Sequence, residues 1–251
     1  MEPDEYGRIA AVEDEHWWYR NTRALVADQL AAELASRRGL RILDAGCGPG
    51  GNGAWLAEHG DVFGVDRSPD ALRFVHERRP EVTPVLGDLT ALPVRSAAVD
   101  VAVAITVLYA VDDDAAAVAE LARVLAPGGV LVVVEPAFDA LRREHDTTVH
   151  GRRRYRRPGL RALLGNAGLR VRRATYAYSF LAPPAAGLAL LDRRPRDTAT
   201  VGEAAGHPSA SDVERRTLDR VFAPLAHAER RALGRVDLPI GTSVMVVASA
   251  P

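Results

Sequence analysis

The stretch Leu43-Asp44-Ala45-Gly46-Cys47-Gly48-Pro49-Gly50-Gly51 joins a strand-like run, Arg41-Ile42-Leu43, to a helical stretch from Gly53 to His59. Glycines at such a junction let backbone approach a ligand closely, and the helix start offers N–H groups with no intrahelical partner. In an open α/β sheet, ligands settle at the carboxyl ends of strands, near the point where strand order reverses. A plain tight turn is the alternative reading of the same residues.

The pattern continues outward from this turn. Val62-Phe63-Gly64-Val65 reads as a strand ending at Asp66. Ser68 is an N-cap with Pro69 at the first position of a helix running through Arg79. Thr83–Leu86, Val99–Ile105 and Val130–Val134 read as further strands, with a helix from Ala115 to Leu125 stopped by Pro127-Gly128-Gly129. Unbroken Val/Ile/Leu runs mark strands covered on both faces, and their alternation with helices implies βαβ units and a parallel sheet. Beyond them come a helix from Pro158 to Ala167, a strand from Leu169 to about Tyr178, a helix from Ser211 to Arg231 and a last strand from Gly241 to Ala248. Residues 181–210 are rich in Pro, Ala and Gly. Near the amino end, Trp18, Leu25, Val26, Leu30 and Leu34 predict one amphipathic helix across residues 12–36. The expected organisation is a single domain, 1–251. It comprises a helical lid (1–36), a core (40–180), a cap insertion (181–235) and a final strand (236–251).

Composition narrows the function. Of 251 residues, 47% are hydrophobic and 26% charged, values of a globular chain. The 32 basic residues, all arginine, against 33 acidic ones leave a net charge of −1, so no overall basic footprint for nucleic acid is present. One cysteine, Cys47, excludes an intramolecular disulfide framework and a multi-thiolate metal site. No metal is expected. The acidic start Met1-Glu2-Pro3-Asp4-Glu5 carries no secretory h-region, and the apolar run Val101–Val111 falls short of the roughly 20 residues of a membrane span. A cytoplasmic protein without a membrane span is expected.

Gly46, Gly48 and Gly51 satisfy G-x-G-x-x-G, and Asp66 follows Gly46 by 20 residues. Both features belong to the dinucleotide fingerprint, which keeps an NAD(P)-dependent oxidoreductase open. Asp44 argues against it, because a pyrophosphate over this turn would meet a carboxylate at close range. A ligand carrying an ammonium and a sulfonium is favoured instead, as in S-adenosyl-L-methionine. Asp66 suits either ligand, since its carboxylate accepts hydrogen bonds from ribose hydroxyls.

Leu43 to Gly51, Val65-Asp66, Gly87-Asp88-Leu89 and Leu125-Ala126-Pro127-Gly128-Gly129 resemble, in order and spacing, the successive motifs of class I S-adenosylmethionine-dependent methyltransferases, of the methyltransferase type 11-like bacterial subgroup. The resemblance covers roughly residues 40 to 135. It implies a Rossmann-like three-layer α/β sandwich, a seven-stranded mostly parallel sheet with an antiparallel last strand, and a helical cap. It also implies S-adenosyl-L-methionine as cofactor and S-adenosyl-L-homocysteine as product. Carried over by position, Asp44, Gly46 and Gly48 line the methionine end, and Asp66 holds the ribose. Arg67 covers the adenine, Asp88 and the Leu89 backbone meet its amino group, and Ile105 and Thr106 border the methyl. The cluster His16-Trp17-Trp18-Tyr19-Arg20 resembles the cofactor-covering helix of a bacterial subgroup, which makes Trp18 and Tyr19 lid residues. Simple anchoring of the helix is the competing role for the tryptophans.

Methyl transfer is an in-line displacement, so alignment carries much of it, and a base is required only for a protonated, weakly acidic nucleophile. The resemblance therefore brings no universal catalytic residue. Tyr109 stands where family members often carry histidine. His145 and His150, with Tyr155 nearby, are the other candidates on the acceptor side, the histidines as general bases. The run Arg152 to Arg157 is either an anion clamp or a locally paired loop. Tyr176, Tyr178, Phe180, Leu181, Leu188 and Leu190 point to a hydrophobic or aromatic acceptor. The expectation is methyl transfer to a small molecule, such as a specialised metabolite of a bacterium, with no nucleic-acid partner. The rivals are the oxidoreductase, a non-catalytic S-adenosylmethionine-binding protein and, on the arginine run alone, a tRNA or protein methyltransferase.

Overall fold

The computed structural model describes residues 3–142, 146, 150–192 and 215–251. Its strands are β1 Leu40–Ala45, β2 Gly60–Asp66, β3 Val82–Leu86, β4 Val99–Ile105, β5 Leu125–Pro136, β6 Arg170–Ala177 and β7 Ser243–Ser249. They form one seven-stranded sheet in the order β3-β2-β1-β4-β5-β7-β6. β1 to β5 pair in parallel, and β7 runs antiparallel to both β5 and β6. β1 lies between β2 and β4, so strand order reverses where the glycine turn leaves β1.

Helices cover both faces of the sheet, as the unbroken apolar strands require. The helices are α1 Pro3–Val12, α2 Trp17–Ser36, α3 Gly53–Ala57, α4 Pro69–Arg78, α5 Asp114–Val124, α6 Arg157–Asn166, α7 Ala182–Asp192 and α8 Arg215–Leu233. Leu43, Ala45, Ala102, Ala104, Leu131 and Val133 pack with α5 and α6. Their strand neighbours Ile42, Val101, Val103, Val132 and Val134 pack on the other face with α2, α3, α4 and α8. The alternation is the period-two geometry of strands. Ser68 caps α4, its Oγ accepting the Ala71 N–H at 3.3 Å, and Asp113 caps α5 through the Ala116 N–H at 2.9 Å.

Three sequence expectations are corrected. The helix expected across residues 12–36 begins only at Trp17, and a separate helix that the reading did not include, α1, ends at Val12, the two being parted at Glu13-Asp14-Glu15. The break is held from both sides: His16 caps α2, its Nδ1 accepting the Trp18 N–H at 3.3 Å, and buried Glu13 pairs with Arg78 at 2.8 Å. Pro127-Gly128-Gly129 does more than stop α5; it lies inside β5, where pairing slips between Val99↔Leu125 and Val101↔Val130. The Pro/Ala/Gly-rich stretch contains α7, with Pro183 and Pro184 near its start, where a missing N–H costs little. The start of the helix expected from Ser211 lies outside the described residues. Among the described residues no helix is long and apolar enough to cross a membrane.

Two glycines give opposite predictions. A Cβ on Gly60, paired with Leu40 in the β1–β2 ladder, would overlap the Leu40 backbone, whereas one on Gly159 in α6 meets nothing within 4 Å. Denaturant unfolding is expected to show Gly60→Ala losing about 1–3 kcal/mol and Gly159→Ala gaining about 0.4–1 kcal/mol. Equal effects would contradict the close approach of β1 and β2.

Candidate active site

The carboxyl ends of β1, β2 and β4 open into a cavity of about 800 Å³, walled on another side by α1 and the start of α2. The glycine turn is fastened to β2: the Gly46 and Cys47 N–H groups both donate to the Val65 carbonyl, at 2.8 and 3.1 Å. Gly46 has φ 71°, and a Cβ there would overlap the Val107 side chain, so glycine is required on both counts. Gly48, at φ 53°, has open space where its Cβ would sit, and its N–H donates to Asp66 Oδ2 at 3.0 Å. Asp66 Oδ1 accepts the Ser68 N–H at 2.9 Å. Burial raises the Asp66 carboxyl above its usual range, against the pull of these N–H donors.

Asp44 lies deeper than the sequence reading placed it. It is 2% exposed and is not a wall of the cavity; Asn52, which is a wall, donates through Nδ2 to its two oxygens at 3.2 and 3.3 Å. Burial pushes Asp44 up to about 7; the Asn52 hydrogen bond opposes this, while Asp66 and Glu13 add to it. Burial likewise pushes the Cys47 thiol well up, consistent with a packing role.

The other residues named for the cofactor converge on the same cavity. Gly46, Gly48, Asp66, Arg67, Asp88, Leu89, Ile105, Thr106, Trp18 and Tyr19 all line it. Asp88 is exposed, and its carboxyl is held low by hydrogen bonds from the Thr90 hydroxyl and N–H, at 2.6 and 2.8 Å. The two tryptophans divide their roles. Trp17 packs its ring against Phe222 (5.3 Å), Tyr178 (6.0 Å) and Phe180 (6.1 Å), anchoring α2, while Trp18 reaches the cavity.

Sequence reasoning missed Tyr6, Arg23, Asn52 and Glu135. Tyr6 lines the cavity beside Asp66 and Ser68; its three-residue spacing with Ile9 and Val12 was the available signal. Arg23 lines it too, with one Nη donating to the Glu13 carbonyl at 2.7 Å. Glu135 is fully buried at the end of β5 and accepts three successive backbone N–H groups: Val107 (3.1 Å), Leu108 (2.8 Å) and Tyr109 (3.2 Å). Burial pushes it up to about 8, against those three donors.

On the acceptor side the candidates separate. Tyr109 lines the cavity at 6% exposure, and burial, then the Glu135 charge, raises its phenol so that it stays protonated. His150 is exposed in a left-handed turn (φ 58°) and is not among the lining residues, so its position does not support a base. His145 lies outside the described residues. Tyr155 is turned away from the cavity, its hydroxyl donating to Asp114 at 2.7 Å. The arginine run is paired: Arg152 with Asp112 (2.6 Å), Arg153 with Asp114 (2.7 Å), and Arg154 with both oxygens of Asp146 (3.0 Å each). Arg156 and Arg157 stack over Phe138 and Tyr176. The hydrophobic-acceptor expectation loses its basis: Tyr176 stacks on Phe138, Tyr178 and Phe180 surround Trp17, and neither these nor Leu181 line the cavity. The Leu188 and Leu190 side chains lie outside what is described.

A family model described as a methyltransferase domain matches residues 43–133. A Mycolicibacterium smegmatis protein named "Probable S-adenosylmethionine-dependent methyltransferase" is 33% identical over 189 residues, covering 74% of this chain and 70% of that protein. A malonyl-(acyl-carrier protein) O-methyltransferase from Enterobacter lignolyticus is 35% identical over 54% of this chain and 53% of its own. The chain spans about half the length of several curated relatives it matches. In a Haloferax volcanii complex of the Trm112 methyltransferase activator with a methyltransferase, the solved fold aligns with TM-score 0.62 at 21% identity, covering 99% of this chain and 95% of that one. The fold and the glycine-turn cavity are those of a class I methyltransferase. The chain belongs to the S-adenosylmethionine-dependent methyltransferase family. That family's methyl donor is S-adenosylmethionine, and the nicotinamide reading falls with this assignment. The cavity fits the donor: its volume is ample, Gly48 leaves the turn open, and carboxylates dominate its charged walls.

Asp44 sets a pH dependence of the ligand-free protein. Its folded value lies above that of the unfolded chain, so its stabilising effect is complete below about pH 4 and is lost as pH rises through about 7. Thermal unfolding from pH 5 to pH 8 is expected to show Asp44→Asn with a flatter decline, by up to about 1.4 kcal/mol per pH unit. A parallel pair of curves would mean that Asp44 is not protonated in the fold.

Proposed function

We propose that this chain, acting as one domain with its lid (1–36) and cap (181–235), transfers the methyl group of S-adenosylmethionine to a small polar acceptor, with specialised metabolites of bacteria the expected source. The observation that carries the reading is the glycine turn tied through the Gly48 N–H to Asp66, with Asp88, Trp18 and Tyr19 around one cavity. Bound there, the cofactor supplies an electrophilic methyl carbon on a cationic sulfur. Asp66 accepts from the ribose hydroxyls, Arg67 covers the adenine, and Asp88 with the Leu89 backbone reads its amino group. Gly46 and Gly48 border the methionine end. There the Asp44–Asn52 pair faces the ammonium, and Arg23 offers its remaining N–H donors to the carboxylate. Ile105 and Thr106 flank the methyl, and Trp18 and Tyr19 close the site.

The acceptor end favours a polar molecule. Its walls include the Tyr109 phenol and the Asp146–Arg154 ion pair. Tyr109, held protonated, donates a hydrogen bond that orients the acceptor; alignment, not proton abstraction by this group, is its contribution. Two similar proteins are named for carboxylic acids or their derivatives, malonyl-(acyl-carrier protein) and trans-aconitate, which fits a donor-bearing wall; another is named for demethylmenaquinone.

The test is ligand-dependent thermal unfolding, followed by a labelled-methyl assay over carboxylic acids, amines and phenols. S-adenosylhomocysteine at 100 times its dissociation constant stabilises by about 2.7 kcal/mol; NAD(H) gives no shift, and Asp66→Ala removes most of the gain. S-adenosylmethionine affinity rises from pH 6 to pH 8 as Asp44 ionises around 7 to meet the ammonium. Indifference to both S-adenosyl ligands overturns the proposal, and binding without transfer to any acceptor leaves only the non-catalytic reading.

A further inference from the structure

Resting on the methyltransferase reading, we infer that Glu135 is a positioning residue for the acceptor: it fixes the loop after β4 so that the Tyr109 hydroxyl faces the cavity. The loop is tied from its carbonyl side as well, the Tyr109 carbonyl accepting the Arg152 and Arg153 N–H groups at 2.9 and 3.4 Å. Thr106 sits at φ 49°, a conformation non-glycine residues seldom adopt, with its N–H on the Val134 carbonyl at 2.7 Å. The next three N–H groups all point at one carboxylate. Oε1 takes Val107 and Leu108, and Oε2 takes Tyr109. At one end of this segment Val107 fills the notch left by the missing Cβ of Gly46; at the other, the Tyr109 ring lies against Gly151. The Tyr109 hydroxyl itself makes no hydrogen bond to the described residues, and Tyr109 lines the cavity together with Tyr19, Asp146 and Arg154. Its direction therefore depends on the backbone behind it, which Glu135 holds from the N–H side and the Arg152 and Arg153 N–H groups hold from the carbonyl side. A glutamine there would turn an NH₂ toward an N–H donor, leaving buried groups unpaired.

The experiment places 3-fluorotyrosine at position 109 or, as a control, at 176, in the wild-type protein and in Glu135→Gln. Glu135→Asp serves as the partial rescue and as the alternative should Glu135→Gln not fold. The ¹⁹F resonance at 109 is expected to shift and broaden in Glu135→Gln, while that at 176 and the affinity for S-adenosylhomocysteine hold. With any acceptor that the labelled-methyl assay turns over, kcat/KM falls by about 100-fold, and adding Tyr109→Phe to Glu135→Gln costs nothing further. An unmoved 109 resonance, equal movement at 109 and 176, or additive losses would overturn the inference. A wild-type protein that fails to bind S-adenosylhomocysteine would instead defeat the methyltransferase reading, while the resonances still decide the role of Glu135.

Discussion

The glycine turn after β1 has to come within hydrogen-bond reach of the end of β2, and much of the site follows from that approach. Two turn N–H groups are spent on the Val65 carbonyl and a third on Asp66. At Gly46 the approach excludes a Cβ, because Val107 from the neighbouring β4 loop fills the space beside it. One short segment thus locks the ends of β1, β2 and β4 together. Open volume remains on the Gly48 side, where a ligand can meet backbone and carboxylate together.

That arrangement concentrates negative charge. Asp44, Asp66 and Glu13 are all buried around the turn, and each has its carboxyl raised by burial. The compensation is partial: Asn52 hydrogen-bonds Asp44, and Arg78 and Arg79 reach Glu13 and Asp14. The same arginines therefore settle two matters. They relieve the acid cluster, and they dock the corner between α1 and α2 onto the core, with Arg79 also donating to the Gly50 carbonyl at 3.2 Å. A cationic ligand completes what the protein leaves uncompensated, which is the physical reason a sulfonium suits this turn better than a diphosphate.

The core was legible because its signals are local. Val99–Ile105 came out residue for residue, and the reversed last strand fell where the final apolar run stands. Most of the residues named for the cofactor fall around one cavity for a related reason, since they sit at or just past strand ends whose position the strands themselves dictate. What escaped depends on partners distant in sequence. The break at residues 13–15 is set by Arg78 and by the His16 cap; periodicity cannot register either. Asp44 reads as a mouth residue by its distance from Gly46, yet Asn52 stands between it and the cavity. Glu135 shows in sequence only as one acid closing an apolar run, and its three N–H donors belong to a loop 26 to 28 residues away.

The acceptor end shows why composition misleads about substrates. The aromatics from Tyr176 to Phe180 looked like an apolar binding wall, but Tyr178 and Phe180 pack on Trp17, which with Phe222 seats α2 against α8, and Tyr176 stacks on Phe138. The arginine run offered an anion clamp or a locally paired loop, and three of its members are paired, with Asp112, with Asp114 at the start of α5 and with Asp146. Of the charged pairs formed, Asp146–Arg154 is the one whose two partners are both largely buried and both face the cavity. Removing either partner would deprive the other, largely buried, of its opposite charge, so this wall resists mutation on grounds of stability. The walls at this end accordingly include polar groups with fixed positions: the Asp146–Arg154 ion pair and the Tyr109 phenol.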